Sequence, residues 1–277
     1  MKNLEFGSRT YIMGILNLTP DSFSGDGIYG DVDRALREAE RMVQEGADII
    51  DVGGESTRPG ALPVGEVEEI NRVIPVIKAL ANKVSIPISI DTRKSEVAQR
   101  ALDNGASIIN DITGLESDRR MAQVAACYNA KVIIMHIKGT PQTMQRDPKY
   151  YSLTTEIIGK LNSLIQRAEQ NGVKKENIIV DPGIGFGKTF EHNLEILNNL
   201  SHFKVLKKPI LVGPSRKSFI GNILGSEPRE RLFGTAACTA IAIKNGADII
   251  RVHDVKEIKE VIKVTDAIVR SGETVNA

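Results

Sequence analysis

The sequence predicts a single (β/α)8 TIM barrel, a closed ring of parallel strands surrounded by helices. Eight short apolar runs recur along the chain, and helical patterns separate most of them. Such runs, ending in polar residues, indicate parallel strands that are buried on both faces. Eight βα units in roughly 250 residues match the dimensions of this barrel. An open doubly wound sheet is the alternative, and the eighth predicted strand favours closure.

The predicted strands follow one another along the whole chain. They lie near residues 11–17, 47–53, 86–91, 106–111, 131–136, 177–182, 208–214 and 247–253. No linker or change in composition divides the sequence. We therefore assign residues 1–277 to one domain.

A repeated short sequence supports several of these strands. Gly-Ala-Asp-Ile-Ile occurs at 46–50 and 246–250, and Gly-Ala-Ser-Ile-Ile occurs at 105–109. Glycine suits the left-handed position at which a helix ends, so each copy predicts a helix followed at once by a buried strand. Apolar residues at helical spacing from Val32 to Val43 predict the first helix, with Asp31 or Asp33 as its cap. A later helix is predicted from about Glu227 to Asn245.

Three connections are too long or too rich in glycine to be simple turns. They cover residues 18–30, 53–65 and 137 to about 153. Long loops on a rigid scaffold usually carry function. We expect those after strands 1 and 2 to be long mobile loops that close over a site.

Composition narrows the class of protein. The net charge of +1, from 36 basic and 35 acidic residues, gives no support to nucleic-acid or membrane-surface binding. The two cysteines, Cys127 and Cys238, form no C-x-x-C pair, which predicts buried free thiols in a reducing compartment. No signal peptide and no apolar run of roughly 18 residues is evident. We therefore expect a cytoplasmic protein.

Polar residues at the predicted strand ends form the first candidate site, because parallel α/β folds place function there. Asp91, Asn110 and Asp181 end three strands. A carboxylate accepts two parallel hydrogen bonds from an amidine-like edge, so this set suits a flat heterocycle with several N–H donors. Acid–base catalysis is an alternative. Each carboxylate alone could simply bond loop backbone or an arginine, but three on one rim favour ligand binding.

A second set suits phosphate. Arg251 and His253 lie two apart on a strand and so point to the same side, forming a cationic or donor-rich patch. The loop at 56–60 adds hydroxyls and a guanidinium. Asn17 offers a neutral oxygen that would suit a Mg²⁺-diphosphate. His136 has no comparable neighbour on its strand, and we interpret it as structural.

The glycine-rich segment 181–189 ends in Gly-Lys-Thr but is not a P-loop. That motif requires glycine where Pro182 stands, and the G-x-G-x-x-G spacing fails as well. A turn that lets a planar ligand approach the backbone, with Phe186 against its ring, fits better. Lys217 could be a Schiff-base nucleophile or a hydrogen-bond donor. Adjacent Arg216 and the polar loop argue against burial of Lys217 and favour the donor role.

Segments from strand 1 to strand 8 resemble the dihydropteroate synthase family. They are Met13–Ser24, Asp51–Gly60, Ser89–Thr92, Ile109–Ile112, Met135–Pro141, Asp181–Phe186, Ser215–Lys217 and Arg251–Asp254. The resemblance implies a TIM barrel that condenses 6-hydroxymethyl-7,8-dihydropterin diphosphate with p-aminobenzoate in folate biosynthesis. Diphosphate leaves and 7,8-dihydropteroate forms. The resemblance also implies Mg²⁺ and a homodimer.

The resemblance further implies roles for individual residues. Asp91, Asn110, Asp181 and Lys217 would hold the pterin. Asn17, Thr57, Arg251 and His253 would bind the diphosphate, with Mg²⁺ on Asn17. Thr57, Arg58, Pro59, Phe186 and Ser218 would form the p-aminobenzoate site. The catalytic set would be Lys217, Arg251, His253, Asp91 and Asp181.

Two points limit this transfer. The first loop of the family usually has the sequence D-S-F-S-D-G-G, whereas Gly25 and Asp26 stand in exchanged order here. Asp26 would therefore have to act from a shifted position, and Asp51 receives no role.

Three other functions compete with this one. A methyltetrahydrofolate-dependent corrinoid methyltransferase would need the pterin residues but no diphosphate site, so Thr57–Pro59 and Arg251-x-His253 speak against it. A non-catalytic pterin-binding protein could dispense with Lys217 and Asn17, yet both are present. An unrelated barrel aldolase would use Lys217 for a Schiff base.

Overall fold

The computed structural model describes residues 4–19, 30–58 and 60–270. Eight parallel strands in this part of the chain follow one another around a barrel in the order β6-β5-β4-β3-β2-β1-β8-β7. A single bridge between Val180 and Ile210 connects β6 to β7. The predicted barrel is therefore confirmed, and the open sheet is not observed. The strands are β1 Tyr11–Asn17, β2 Ile49–Gly53, β3 Ile88–Asp91, β4 Ile108–Asp111, β5 Lys131–Met135, β6 Ile178–Asp181, β7 Leu211–Val212 and β8 Ile249–Val252.

Helices cover the outside of the barrel. In the described residues they are α1 Val32–Gln44, α2 Glu66–Ala81, α3 Ser95–Asp103, α4 Met121–Cys127, α5 Leu153–Gln170, α6 Phe190–Asn198, α7 Ser218–Leu224, α8 Leu232–Lys244 and α9 Val255–Val269. Asp31 caps α1 by accepting a hydrogen bond from the backbone N–H of Arg34. None of these helices is long and apolar enough to cross a membrane.

The repeated Gly-Ala sequence ends helices as predicted. Gly46, Gly105 and Gly246 have φ angles of +101°, +108° and +105°. The next N–H bonds back into the helix each time, as from Ala47 to the carbonyl of Met42 at 2.9 Å. This is the Schellman arrangement, and it turns the chain directly into the following strand.

Three details differ from the prediction. The eighth helix begins at Leu232 rather than near Glu227, because Pro228 starts a separate 3-10 turn. β7 contains only two residues because Pro209 and Pro214 flank it and lack the N–H that a ladder requires. Both cysteines are free, but Cys127 at the end of α4 is exposed rather than buried.

Alternation along the strands divides the core into two layers. One layer lies between the strands and the helices. The other fills the barrel interior near the amino ends of the strands and consists of Tyr11, Met13, Ile49, Ile108, Ile133, Ile179, Leu211 and Ile249. Side chains two residues further along a strand point the same way. In four strands the residue two positions after the interior apolar residue is polar, namely Asp51, Asn110, Asp181 and Arg251. The carboxyl end of the barrel interior is therefore polar.

Candidate active site

Four strands contribute to one hydrogen-bonded group at the carboxyl end of the barrel. Arg251 donates from Nε to Asp51 Oδ2 at 2.6 Å and from Nη2 to Asp91 Oδ2 at 2.7 Å. Asn110 Nδ2 donates to the same Asp51 oxygen at 3.1 Å. The proposed separation of a ring-binding set from an anion-binding set was too sharp, because Arg251 pairs with Asp91. Asp51, which received no role from the sequence, connects the two sets.

Asp181 brings a second buried carboxylate into the site from β6. Its Oδ1 accepts a hydrogen bond from the N–H of Gly183 at 2.7 Å. Oδ2 takes no bond from the described residues, so one oxygen remains for a ligand. Burial raises the pKa of Asp181 to about 6. Burial also raises the pKa of Asp91, although the Arg251 guanidinium opposes this shift.

Lys217 faces the ring of Phe186 across the site. Its Nζ lies 4.2 Å from the ring centroid, a cation–π distance. Burial, together with the charge of Arg251, lowers the pKa of Lys217 to about 8. Lys217 is half-buried, so the expectation that Arg216 would keep this lysine out of the interior is met only in part. Arg216 has a φ of +57° and turns away to pair with Asp254, at 3.1 Å from Nε.

His253 is a neutral member of the anion-binding set. Its Nδ1 lies 2.9 Å from Ser215 Oγ. Burial holds the pKa of His253 well below its usual range, and the nearby charges of Arg216, Arg251 and Arg58 act in the same direction. The patch is therefore donor-rich around His253, and its positive charge comes from the arginines.

The second loop is anchored at its base by ionic contacts. Glu55 accepts from Arg93 Nη2 at 2.9 Å and pairs with Lys94 Nζ at 2.5 Å. Sequence reasoning missed these residues, although Glu55 lies inside the segment 51–60. Thr57 and Arg58 follow and are half-buried, whereas Pro59 lies outside the described residues. Residues 20–29, including Asp26, also lie outside them.

Lys188 organises the loop after β6 rather than binding phosphate. Its Nζ contacts the carbonyl oxygens of Phe186 at 2.8 Å and Gly183 at 3.1 Å, and Nδ1 of His136 at 3.0 Å. Lys188 is only 2% exposed. The rejection of a P-loop is therefore confirmed, and His136 is structural as expected.

The glycines of the loop after β6 let it pack closely against the neighbouring backbone. A Cβ added at Gly183 would lie 2.0 Å from the carbonyl oxygen of His136, and one at Gly187 would lie 2.4 Å from that of Lys138. Both glycines have positive φ angles. The sequence suggested that they admit a ligand, but the close approach observed is to the neighbouring backbone.

Asn17 ends β1 beside Asp91. A Cβ added at Gly53 would lie 3.9 Å from Asn17 Oδ1 and 3.8 Å from Asp91 Oδ2, so both oxygens border one space. No group of three His, Cys, Asp or Glu side chains suited to a metal occurs in the described residues. A cation at Asn17 would therefore need oxygen atoms from a ligand. Ser218 is exposed at the start of α7, next to Lys217.

Comparisons with known proteins agree with this geometry. The family model described as pterin binding enzyme matches residues 13–253. The dihydropteroate synthase of Clostridium beijerinckii is 52% identical over 270 residues, which cover 97% of this chain and 98% of that relative. The chain belongs to the dihydropteroate synthase family.

Solved structures of dihydropteroate synthases share the fold. The Yersinia pestis enzyme with a sulfonamide drug superposes with a TM-score of 0.92 at 45% identity, covering 95% of each chain. The Clostridium difficile enzyme, solved in the presence of pteroic acid, gives 0.90 at 50% identity and covers 96% of this chain and 99% of that one. Membership in the dihydropteroate synthase family favours neither the corrinoid methyltransferase nor the lysine-dependent aldolase.

Proposed function

We propose that the protein is a dihydropteroate synthase, which condenses 6-hydroxymethyl-7,8-dihydropterin diphosphate with p-aminobenzoate. The observation that carries this function is the convergence of Asp91, Asn110, Asp181 and Lys217 at one buried, polar end of the barrel. Two carboxylates, an amide and an ammonium complement the donors and carbonyl of a pterin. The Clostridium difficile relative was solved in the presence of pteroic acid, which contains both a pterin and a p-aminobenzoate half.

The buried carboxylates would stabilise charge during the reaction. The bond between the pterin methylene and the diphosphate oxygen breaks, and the arylamine nitrogen bonds to that methylene and loses a proton. Positive charge develops on the pterin methylene as diphosphate departs. Asp181 is buried and the side chain of Asp91 is only 11% exposed, so their fixed negative charge lies where it would stabilise such a cation.

Positive charge and hydrogen-bond donors would stabilise the departing diphosphate. Arg251 would supply positive charge to it, and Thr57 would supply a hydroxyl. Ser215 Oγ accepts from the N–H of His253 at 3.3 Å and lies 2.9 Å from its Nδ1. If the hydroxyl donates to Nδ1, the proton of the neutral ring lies on Nε2, which would then donate to a phosphate oxygen.

Mg²⁺ is part of this proposal, with Asn17 as its protein ligand. Mg²⁺ often takes one or two protein oxygens and fills its remaining positions with water and substrate phosphate. An amide oxygen at Asn17, without a carboxylate cage in the described residues, fits that mode. The ion would neutralise charge on the diphosphate when bound.

The p-aminobenzoate site is proposed between the second loop and the loop after β6. Arg58 would pair with the carboxylate of the substrate, and Thr57, Pro59 and Ser218 would line the entrance. The Phe186 ring would contact the aromatic ring. Closure of the loops after β1 and β2 would exclude water, which otherwise competes with the amine as nucleophile.

We also propose a cytoplasmic homodimer that associates through α7, α8 and α9. Apolar side chains are exposed on these consecutive helices, namely Ile223, Leu224, Phe233, Ile241, Val264 and Ile268. The sequence of α8 is apolar on nearly every face, as expected for a helix covered on both sides. The two free cysteines suit a reducing compartment.

An assay of diphosphate release tests the function. Release should require Mg²⁺, the pterin diphosphate and p-aminobenzoate together, and the condensed product should form in equal amount. The Asp181→Asn variant, folded by circular dichroism, should lose most of this activity. Folded wild-type protein that releases no diphosphate, or releases it equally without p-aminobenzoate, would contradict the proposal.

A further inference from the structure

Asp51 is a buried carboxylate on which two site residues converge. It is fully buried on β2 and points into the barrel interior. A single oxygen, Oδ2, accepts from Asn110 Nδ2 at 3.1 Å and from Arg251 Nε at 2.6 Å. Asp51 thereby connects a residue of β4 with a residue of β8 and lies beneath the groups that we assign to the pterin.

The contact with Asp51 fixes which end of the Asn110 amide faces a ligand. A side-chain amide has a donor end and an acceptor end of nearly equal size. An ionised carboxylate beside a guanidinium can only accept, so Asn110 must turn its NH₂ toward Asp51. The amide oxygen takes no hydrogen bond from the described residues and is left as an acceptor. Reversing the Asn110 amide would present its NH₂ donor to the ligand ring in place of its oxygen acceptor.

The same carboxylate also fixes the Arg251 guanidinium. Asp51 holds Nε and Asp91 holds Nη2, so two of its three nitrogens are committed. Nη1 donates to none of the described residues and remains for a ligand. A long, flexible side chain is thereby held in one orientation before any substrate binds, which lowers the entropic cost of binding.

We propose that Asp51 is a positioning residue that sets the hydrogen-bond polarity of the pterin site through Asn110 and Arg251 without touching substrate. The proposal rests on the function proposed above and adds a determinant of specificity to it. The site selects a ring that presents an N–H to Asn110, and Asp51 is the group that imposes this preference.

The test compares two Asp→Asn substitutions in the same strand region. Asp51→Asn removes the charge with almost no change of shape. Asp48→Asn is the matched control, because Asp48 also pairs with cations, Arg9 and Lys259, but at the opposite end of the barrel. Calorimetry measures the affinity for bare 6-hydroxymethylpterin. We expect about a tenfold loss for Asp51→Asn and less than about a twofold loss for Asp48→Asn.

A double-mutant cycle distinguishes positioning from an independent contribution. In the Asn110→Ala background, Asp51→Asn should weaken pterin binding by only about threefold. Asp51 then acts through Arg251 alone, because Asn110 is no longer there to be oriented. The same tenfold factor in both backgrounds would overturn the proposal. In steady state, Asp51→Asn should raise KM for the pterin diphosphate and leave KM for p-aminobenzoate unchanged. A smaller folded fraction would instead lower the apparent kcat and leave both KM values unchanged.

A complex of the wild-type protein decides the question even if Asp51→Asn does not fold. A neutron structure with bare pterin should show Asn110 NH₂ on Asp51 and its oxygen on a ligand N–H. A reversed amide, or direct contact between Asp51 and the ring, would overturn the proposal. Wild type that binds no pterin would overturn the proposed function as well, whereas equal binding by wild type and Asp51→Asn would overturn only the role of Asp51.

Discussion

Three charged groups in the site have pKa values shifted toward neutral pH, and the Arg251 guanidinium opposes the shift of one of them, Asp91. Burial raises the pKa of Asp181 to about 6 and lowers that of Lys217 to about 8. The proposed site needs Asp181 as a carboxylate and Lys217 as an ammonium. Asp181 gains a proton as the pH falls below about 6, and Lys217 loses one as it rises above about 8. We therefore expect kcat/KM for the pterin diphosphate to be highest between these values and to fall on both sides.

The Lys217→Arg variant distinguishes the titration of Lys217 from the titration of the substrates. Arginine keeps its charge throughout this pH range, so the alkaline limb should move to higher pH while the acid limb stays in place. The maximum should be lower because the guanidinium has a different shape. An alkaline limb that is identical in wild type and Lys217→Arg would show that Lys217 does not control it.

At the residue scale, the sequence predicts which side chains share the site but not how they pair. Alternation in the strands places Asp91, Asn110 and Asp181 on one inner face, as the structure shows. The contacts of Arg251 were not predictable, because its side chain crosses β1 to reach β2 and β3. That reach depends on the curvature of the closed barrel, which no local pattern specifies.

At the element scale, the loop after β6 is defined by its glycines. Gly183 has a φ of +74° and lies against the backbone of His136, which leaves no room for a side chain. The sequence identified a tight glycine-rich turn there but assigned the space to a ligand. Lys188 was missed because a lysine in a loop is normally solvated, and only the fold shows that carbonyl groups surround it.

Two alanine substitutions separate steric crowding from backbone strain. Gly225 also has a positive φ, but a Cβ added there would meet nothing within 4 Å. Gly225→Ala should therefore cost about 1 kcal/mol of unfolding free energy, for conformation alone. Gly183→Ala should cost about 3–5 kcal/mol and weaken pterin binding, since its N–H orients Asp181. Urea unfolding followed by circular dichroism measures both, and equal losses would contradict the packing argument.

At the scale of the whole molecule, regular repetition made the fold predictable. Eight apolar runs separated by helices define the barrel, because each run must be buried on both faces. How one copy associates with another could not be predicted from the chain alone. Exposed apolar residues are recognisable only once the fold shows which faces the barrel has left uncovered.

Phe233 tests the proposed dimer because it is 83% exposed on α8. Phe233→Glu should convert a dimer into a monomer, since it would place a charge in an apolar interface. Light scattering after size-exclusion chromatography measures the mass. Tyr151→Glu is the control, because Tyr151 is an even more exposed aromatic residue outside these helices. A monomeric wild type, or a Phe233→Glu variant that stays dimeric, would contradict the interface.

The single bridge between β6 and β7 has a consequence for the timescale of motion at the site. Every other pair of neighbouring strands shares a ladder, whereas this junction is joined by Val180 and Ile210 alone. Asp181 follows the junction on one side and Lys217 on the other. Local opening here breaks the fewest backbone bonds, so the amide of Val180, which donates to the carbonyl of Pro209 across the junction, should exchange with deuterium faster than that of Ile50, which donates to Pro87 between β2 and β3. A bound pterin that contacts both Asp181 and Lys217 would slow that exchange, because it would hold the ends of β6 and β7 together.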